Sequence, residues 1–211
     1  MSRASTSVTL HLDAGGIEVA VAAMLAHPQV AHVQEYGCWA VACVCVGTDD
    51  AAALARMQRT ADAGGIELIV AALQAHPQVA DVQQFGCLAM ASVCSGGDAA
   101  SLARKQRAAD AGGIELAVAA MQAHPQVADV QPFGCLAMAS AGSGGDAASL
   151  ARKQRAADAG GIEVAVAALQ AHPLVAGVQE NGCLALGNVC SGTNAAGIAR
   201  KQRAADAGGI E

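Results

Sequence analysis

Aromatic side chains are almost missing from this chain of 211 residues: Tyr36, Trp39, Phe85 and Phe133 are the whole set. A core built without them is aliphatic and small, and each buried residue removes less area from water, at about 25 cal/mol per Å², than an aromatic would. With 54% hydrophobic residues the chain can still bury a substantial core. It must gain stability by adding many small contacts. Long apolar runs are missing too. The longest, Cys38 to Val46, is about half of the roughly 18 residues that a membrane span needs, so no membrane role is expected. Charge is sparse at 14% of residues, and a formal net charge of -6 argues against a generic nucleic-acid surface. The start, Met1 to Leu12, holds Ser and Thr with one Arg and no acid, too short and too weakly amphipathic for a transit peptide. A cytoplasmic or nuclear location is the expectation.

What is present is repetition. The pentapeptide Ala-Gly-Gly-Ile-Glu recurs at Ala14 to Glu18, Ala63 to Glu67, Ala111 to Glu115, Ala159 to Glu163 and Ala207 to Glu211. A period of about 48 residues marks a supersecondary module that buries its apolar face by stacking on copies of itself. The divisions are residues 1–62 with a partial N-terminal helix, 63–110, 111–158, 159–206, and 207–211 as the start of a further unit. Function is therefore expected on a repeated surface. The chain breaks off just as another helix would begin, which suggests a fragment of a longer array.

Three helices are expected in each unit. Asp98 is a good N-cap before a first helix over 99–109 anchored by Leu102, and Asp146 and Asn194 take the same place before Leu150 and Ile198. This helix ends at a glycine pair such as Gly64/Gly65, the first able to take a left-handed cap. Glu67 then lies in the first turn of a second helix, favoured by its dipole. Ile66, Ile69, Val70 and Leu73 give that helix one apolar stripe, and it stops at His76 because Pro77 follows. A third helix runs from about Gln78 to Cys94, with Val79, Val82, Gly86, Met90 and Val93 on one face. Gly86, matched by Gly37, Gly134 and Gly182, costs helix propensity of up to about 1 kcal/mol and marks close helix contact. Pro132 should kink the third copy or delay its start.

Several constellations can be tested for chemistry. Apart from Arg3, every Lys and Arg falls in helix 1: Arg56/Arg59, Arg104/Lys105/Arg107, Arg152/Lys153/Arg155 and Arg200/Lys201/Arg203. The expectation is a solvated outer face balanced by nearby Asp; a phosphate, RNA or acidic-partner contact is the other reading. Cys38, Cys87, Cys135 and Cys183 share one register, Cys45, Cys94 and Cys190 another, and Cys43 is extra. Repeat-related positions stand about 10 Å apart, beyond disulfide reach, so the array is read as reduced, buried small hydrophobes with Cys43 exposed. The same spacing keeps His27, His76, His124 and His172 from sharing a metal, and they are read as helix-end residues bonding terminal carbonyls. No metal, cofactor or catalytic residue is expected. The glycine pairs lack a phosphate-loop pattern, and no nucleophile elbow is present.

A short helix, a glycine turn, a second helix and a long third helix reading Val-Gln-x-x-Gly-Cys-x-Ala resembles the armadillo repeat, in a long-unit variant, over nearly the whole chain. HEAT repeats, the nearest competitor, lack the Gly-Gly turn and the three-helix layout. The resemblance implies an all-α, right-handed α-solenoid of stacked three-helix units whose third helices line a concave groove that binds a protein or peptide partner. Importin-type members hold basic peptides with a Trp and an Asn four residues later. The matching positions are Trp39/Cys43, Leu88/Ser92, Leu136/Ser140 and Leu184/Asn188, and no copy has both. A cargo-adaptor role is therefore the weaker implication. One and two turns earlier stand Glu35 and His32, Gln84 and Asp81, Pro132 and Asp129, and Glu180 and Gly177. The candidate partner-binding set is Glu35, Trp39, Cys43, Asp81, Gln84, Leu88, Ser92, Asp129, Leu136, Ser140, Glu180, Leu184 and Asn188, an acidic and aliphatic groove on a non-enzymatic scaffold. A structural module that self-associates end to end is the alternative.

Overall fold

The computed structural model describes residues 15–46 and 51–208. The partial N-terminal helix, the Met1 to Leu12 segment and residues 209–211 of the last pentapeptide lie outside them. Among the described residues the chain is all-α, with twelve helices and no strand: α1 (Ile17–Ala26), α2 (Ala31–Val44), α3 (Ala51–Asp62), α4 (Gly65–Ala75), α5 (Ala80–Val93), α6 (Ala99–Asp110), α7 (Gly113–Ala123), α8 (Val130–Gly142), α9 (Ala147–Asp158), α10 (Gly161–Ala171), α11 (Ala176–Val189) and α12 (Ala195–Asp206). They fall into three rows. Helix 1 of the repeat is α3, α6, α9 and α12; helix 2 is α1, α4, α7 and α10; helix 3 is α2, α5, α8 and α11. Taking α1–α3, α4–α6, α7–α9 and α10–α12 as units 1 to 4, the substantial packing lies within a unit or between consecutive units. The most extensive is along the helix-3 row, α2 on α5 on α8 on α11.

Turn chemistry sets the helix ends. Gly64, Gly112 and Gly160 sit at φ of 83°, 91° and 90°, the left-handed region that L side chains avoid. The glycine after each has a different reason. A Cβ on Gly161 would stand 2.7 Å from the Ala156 carbonyl oxygen and 2.3 Å from Met138 Sδ, so the chain can turn here only without a side chain. Asp98, Asp146 and Asn194 cap helix 1, each side chain accepting from the backbone N–H three residues on. Helix 2 closes at His76, His124 and His172, ahead of the prolines. Pro132 delays α8, which starts at Val130 where α5 starts at Ala80, two residues earlier in the repeat.

The core runs along the stack between helices 2 and 3. Ile66, Ile69, Val70 and Leu73 of α4 are buried, as are Val82, Met90 and Val93 of α5. Full burial of side chains this size contributes about 1.5–3 kcal/mol each. Helix 3 presses closely on helix 2 at one glycine per unit. A Cβ on Gly37, Gly86, Gly134 or Gly182 would come within 2.3 to 2.7 Å of Met24, Leu73, Met121 or Leu169. Helix 1 does not follow its expected pattern: Leu102 is half-buried, while Ser101, Arg104, Lys105, Ala108 and Ala109 are the buried residues.

Candidate functional site

The basic segment of helix 1 is a solvated face only in part, at Lys201 and at the half-exposed Arg59, Arg107, Arg155 and Arg203. Arg104, Arg152 and Arg200 are only 2 to 3% exposed, and Lys105 and Lys153 are buried beside the first two. Helix 1 crosses the C-terminal end of helix 3, where the last carbonyls have no partner within their own helix. Arg104 Nε donates to Val93 O at 2.8 Å and Nη2 to Ser95 O at 3.1 Å, and Lys105 Nζ donates to Gly96 O at 2.7 Å. The cation therefore meets the negative end of the helix dipole directly. The third arm of the guanidinium reaches back one unit. Arg104 Nη1 donates to Gln58 Oε1, Arg152 to Gln106 and Arg200 to Gln154, at 3.1, 2.9 and 2.8 Å. Each glutamine is oriented by its own amide, which donates to Asp62, Asp110 or Asp158 one turn on, and Gln202 donates to Asp206 in the same way. Burial holds Lys105 and Lys153 below the usual lysine range.

Arg59, Arg107, Arg155 and Arg203 pair with Glu18, Glu67, Glu115 and Glu163 of the pentapeptide. The pentapeptide glutamate thus clamps helix 1 to helix 2 as well as sitting in a favourable first turn. The histidine register does something other than cap its own helix. His76 Nε2 lies 2.9 Å from the Pro28 carbonyl oxygen, His124 from Pro77 at 2.9 Å, and His172 from Pro125 at 2.8 Å. A carbonyl can only accept, so each ring carries its proton on Nε2 and joins its unit to the one before. The helix-2 carbonyls are capped by the glutamine of the Val-Gln motif instead: Gln83 Nε2 donates to Leu73 O and His76 O, both at 3.0 Å, and Gln34, Gln131 and Gln179 repeat the pattern.

The described cysteines are free thiols. Burial pushes Cys38, Cys87, Cys94 and Cys135 up to about 12, so they act as small apolar side chains. Cys43 is exposed as expected. Cys183 corrects the expectation of a uniformly buried register, since it too is exposed, at the end of the stack where no described helix covers α11. Among the described residues no group of three or more His, Cys, Asp or Glu could hold a metal ion, and no helix is long and apolar enough to cross a membrane.

The candidate groove residues divide by register. Trp39 and Leu184 are about half exposed, with Leu88 and Leu136 between them partly buried, so these four form one aliphatic and aromatic line across the helix-3 row. Cys43 is exposed and Ser92 and Ser140 are half-buried; the Ser92 hydroxyl donates to Leu88 O within its own helix. Asp81, Asp129 and Glu180 are exposed. Glu35, by contrast, is 9% exposed and takes a 3.1 Å contact from His32 Nδ1. Its register turns into the joints between units except at Glu180, in the last unit: Gln84 is half-buried, and Pro132 is buried within contact of where a side chain on Gly177 would lie.

Asn188 carries a feature that the helical pattern alone did not reveal. Its Oδ1 is buried without a hydrogen-bond partner among the described residues. The amide turns back toward Gly142 of unit 3, where a Cβ would stand 3.0 Å from Oδ1. Gly142 occupies the register of Cys45, Cys94 and Cys190, and that missing side chain is the one signal the sequence offers. Asn188 lines a cleft of about 210 Å³ with Leu184, Ser140, Ser143, Lys105 and Cys94. Set against known protein families and curated proteins, the chain matches no family model and no curated protein.

Proposed function

We propose that the chain is a non-enzymatic, armadillo-like scaffold, a right-handed superhelix that binds an extended protein segment along the outward side of the helix-3 row. The observation that carries this reading is how the polar groups are distributed. The arginines, histidines and capping glutamines of the other faces are engaged in joining helices within a unit or one unit to the next. Trp39, Leu88, Leu136 and Leu184, flanked by exposed Asp81, Asp129 and Glu180, form a line not engaged in that way. Side chains at intervals of about 10 Å suit a partner held in extended form with apolar anchors and some basic residues. The Asn188 acceptor beside Leu184 gives such a segment a place for one buried N–H.

The test is crosslinking capture from the native extract with three proteins: wild type, an Asp81/Asp129/Glu180 charge-reversed variant, and a control carrying Gln74→Lys and Gln126→Lys, which adds positive charge at exposed positions outside the groove set. The groove variant should lose partners that the control keeps. Identical partner sets for all three would overturn the reading.

A further inference from the structure

The cleft of about 210 Å³ beside Asn188 takes its walls from three consecutive units: Gly96 and Lys105 of unit 2, Ser140 and Ser143 of unit 3, and Leu184 and Asn188 of unit 4. Among the described residues no carboxylate lines it. Its cation stands apart from the others. Arg59, Arg107, Arg155 and Arg203 each face a glutamate, and Arg104 and Arg152 direct each arm to a carbonyl or a glutamine amide. Lys105 is 3% exposed, donates to Gly96 O, and has no ion pair among the described residues. Its ammonium has further N–H groups to give. Burial, with the guanidinium charges of Arg152 and Arg104 nearby, holds this lysine below the usual range. A cation withdrawn from water without a counter-charge gains from an anion brought to it.

Two more polar groups of the cleft are unengaged. The Ser140 hydroxyl, unlike that of Ser92 one unit earlier, makes no hydrogen bond among the described residues. Asn188 Oδ1 is shielded from water without a donor, turned toward the bare Cα of Gly142. The registers show that stacking alone does not require this set. The place of Lys105 is held in unit 1 by Met57, fully buried, and the place of Asn188 is held by Cys43, Ser92 and Ser140.

We propose that this cleft is a carboxylate subsite of the helix-3 face: one carboxylate of the bound segment seats on the Lys105 ammonium and the Ser140 hydroxyl, beside Leu184. The Asn188 side chain turns from Gly142 into the cleft and accepts a neighbouring N–H of the same segment. The subsite rests on the reading of this face as a binding surface, and it adds an acid to the chemistry of the ligand. Apolar anchors meet the leucine line, basic residues meet Asp81 and Asp129, and the carboxylate lies toward the C-terminal end of helix 3. A phosphate fits less well. Its charge of about two and three acceptor oxygens exceed what one ammonium and one hydroxyl supply, and the guanidinium groups nearby have no free arm.

Chemical-shift titration of the isotope-labelled 211-residue chain tests this with three probes. N-acetylleucine carries a terminal carboxylate, the α-N-methylamide of N-acetylaspartate carries a side-chain carboxylate, and N-acetylleucine N-methylamide is neutral. Both acids should shift the backbone amides of Gly96, Ser140 and Ser143 and the side-chain amide of Asn188, and the neutral probe should not. The tighter acid identifies the carboxylate as chain end or side chain. Lys105→Met should weaken its binding about tenfold or more, as loss of a charge-assisted hydrogen bond does, and Asn188→Ser about threefold. Each substitution installs a residue that the same register already holds elsewhere in the stack, and unchanged circular dichroism checks the fold. Lys201→Met removes an equal charge from an exposed position and should leave the affinity as it was. No shift with either acid, equal shifts with the neutral probe, an affinity indifferent to Lys105→Met, or tighter binding of inorganic phosphate would each overturn the subsite. The face itself would still stand or fall separately, on the partners captured by the Asp81/Asp129/Glu180 variant.

Discussion

In the helix-3 row consecutive units meet through small apolar side chains such as Cys87 and Ala89, whereas in the helix-1 row they meet through Arg104 and Gln58, a buried guanidinium and an amide. The first joint depends on shape. The second depends on donor and acceptor identity, because a guanidinium removed from water must find partners for its N–H groups. A chain poor in aromatics has little area to bury per residue, and the arginine supplies what the aliphatic joint lacks: it closes the end of helix 3, satisfies its last carbonyls and fixes the register of the next unit in one side chain. If the two rows differ in this way, they should respond differently to substitution.

The largest effect is expected in the helix-1 row. Arg104→Met keeps an apolar stem but leaves Val93 O, Ser95 O and Gln58 Oε1 without their donor. Orphaning buried acceptors costs about 1–3 kcal/mol apiece, so a loss on the order of 3 kcal/mol or more should be read in urea denaturation. Arg104→Lys should recover less than half of it, since an ammonium cannot reach three acceptors in fixed fork geometry. If methionine is tolerated as well as lysine, the joint is held by packing and the contrast between rows fails.

Next comes a shape change on helix 3 where it presses on helix 2 of its own unit. Gly134→Val brings Cβ toward Met121 Cγ, 2.3 Å from the ideal position, with the Ala117 carbonyl oxygen at 3.3 Å behind it. Overpacking of this kind costs about 1–3 kcal/mol, partly offset by the helix propensity gained on removing glycine. A compensating Met121→Ala should restore much of the loss by making room. The same rescue must fail for Arg104→Met, where no reduction in volume supplies a donor.

A smaller loss, about 1–2 kcal/mol, is expected for Gln131→Ala, which uncovers Met121 O and His124 O at the end of α7. Amide hydrogen exchange should quicken at the C-terminal turn of α7 and the turn to α8 while α9 keeps its protection. Loss of protection throughout the unit would mean that this cap is part of the joint between rows and does not act locally.

The helices and their order were legible because their signals are local: Gly64 needs a left-handed φ, Pro77 stops a helix, Asp98 caps one, and the 66, 69, 70, 73 stripe gives the buried face. Gly86 could be read as a contact because its cost in propensity demands a return. The fate of the basic segment was not legible, because a run such as Arg-Lys-Gln-Arg has the same composition whether it faces water or the end of another helix. Two clues were present, the glutamine that recurs two residues after each Arg of the 56/104/152/200 register and the glutamate that precedes Arg59, Arg107, Arg155 and Arg203 by about 40 residues. Neither points to burial without knowing which row crosses which. Cys183 misled for a related reason. Equivalent sequence positions have equivalent surroundings only where the stack continues on both sides.

The smallest effect separates the rows by titration. The N–H of Ser101 donating to Asp98, and that of Ser149 donating to Asp146, hold these carboxyls below the usual aspartate value of 3.8. A depressed folded value means that the cap's contribution is fully present above the unfolded value and is lost as pH falls through the lower, folded one. Stability should therefore begin to decline below about pH 4, with helix 1 loosening first. Unit 4 already contains the control, since Asn194 makes the same bond to the Gly197 N–H at 2.9 Å and has no proton to gain. Asp98→Asn with Asp146→Asn should keep near-wild-type stability at neutral pH and flatten the decline between about pH 4 and pH 2, followed by circular dichroism in denaturant at each pH. An unchanged acid limb in the double variant would move the titrating groups elsewhere, to carboxylates such as Glu18, which Arg59 also holds below the ordinary range. That result would place the acid-sensitive link between helix 1 and helix 2, and leave the joint between helix 1 and helix 3 indifferent to pH because its partners are carbonyls and amides.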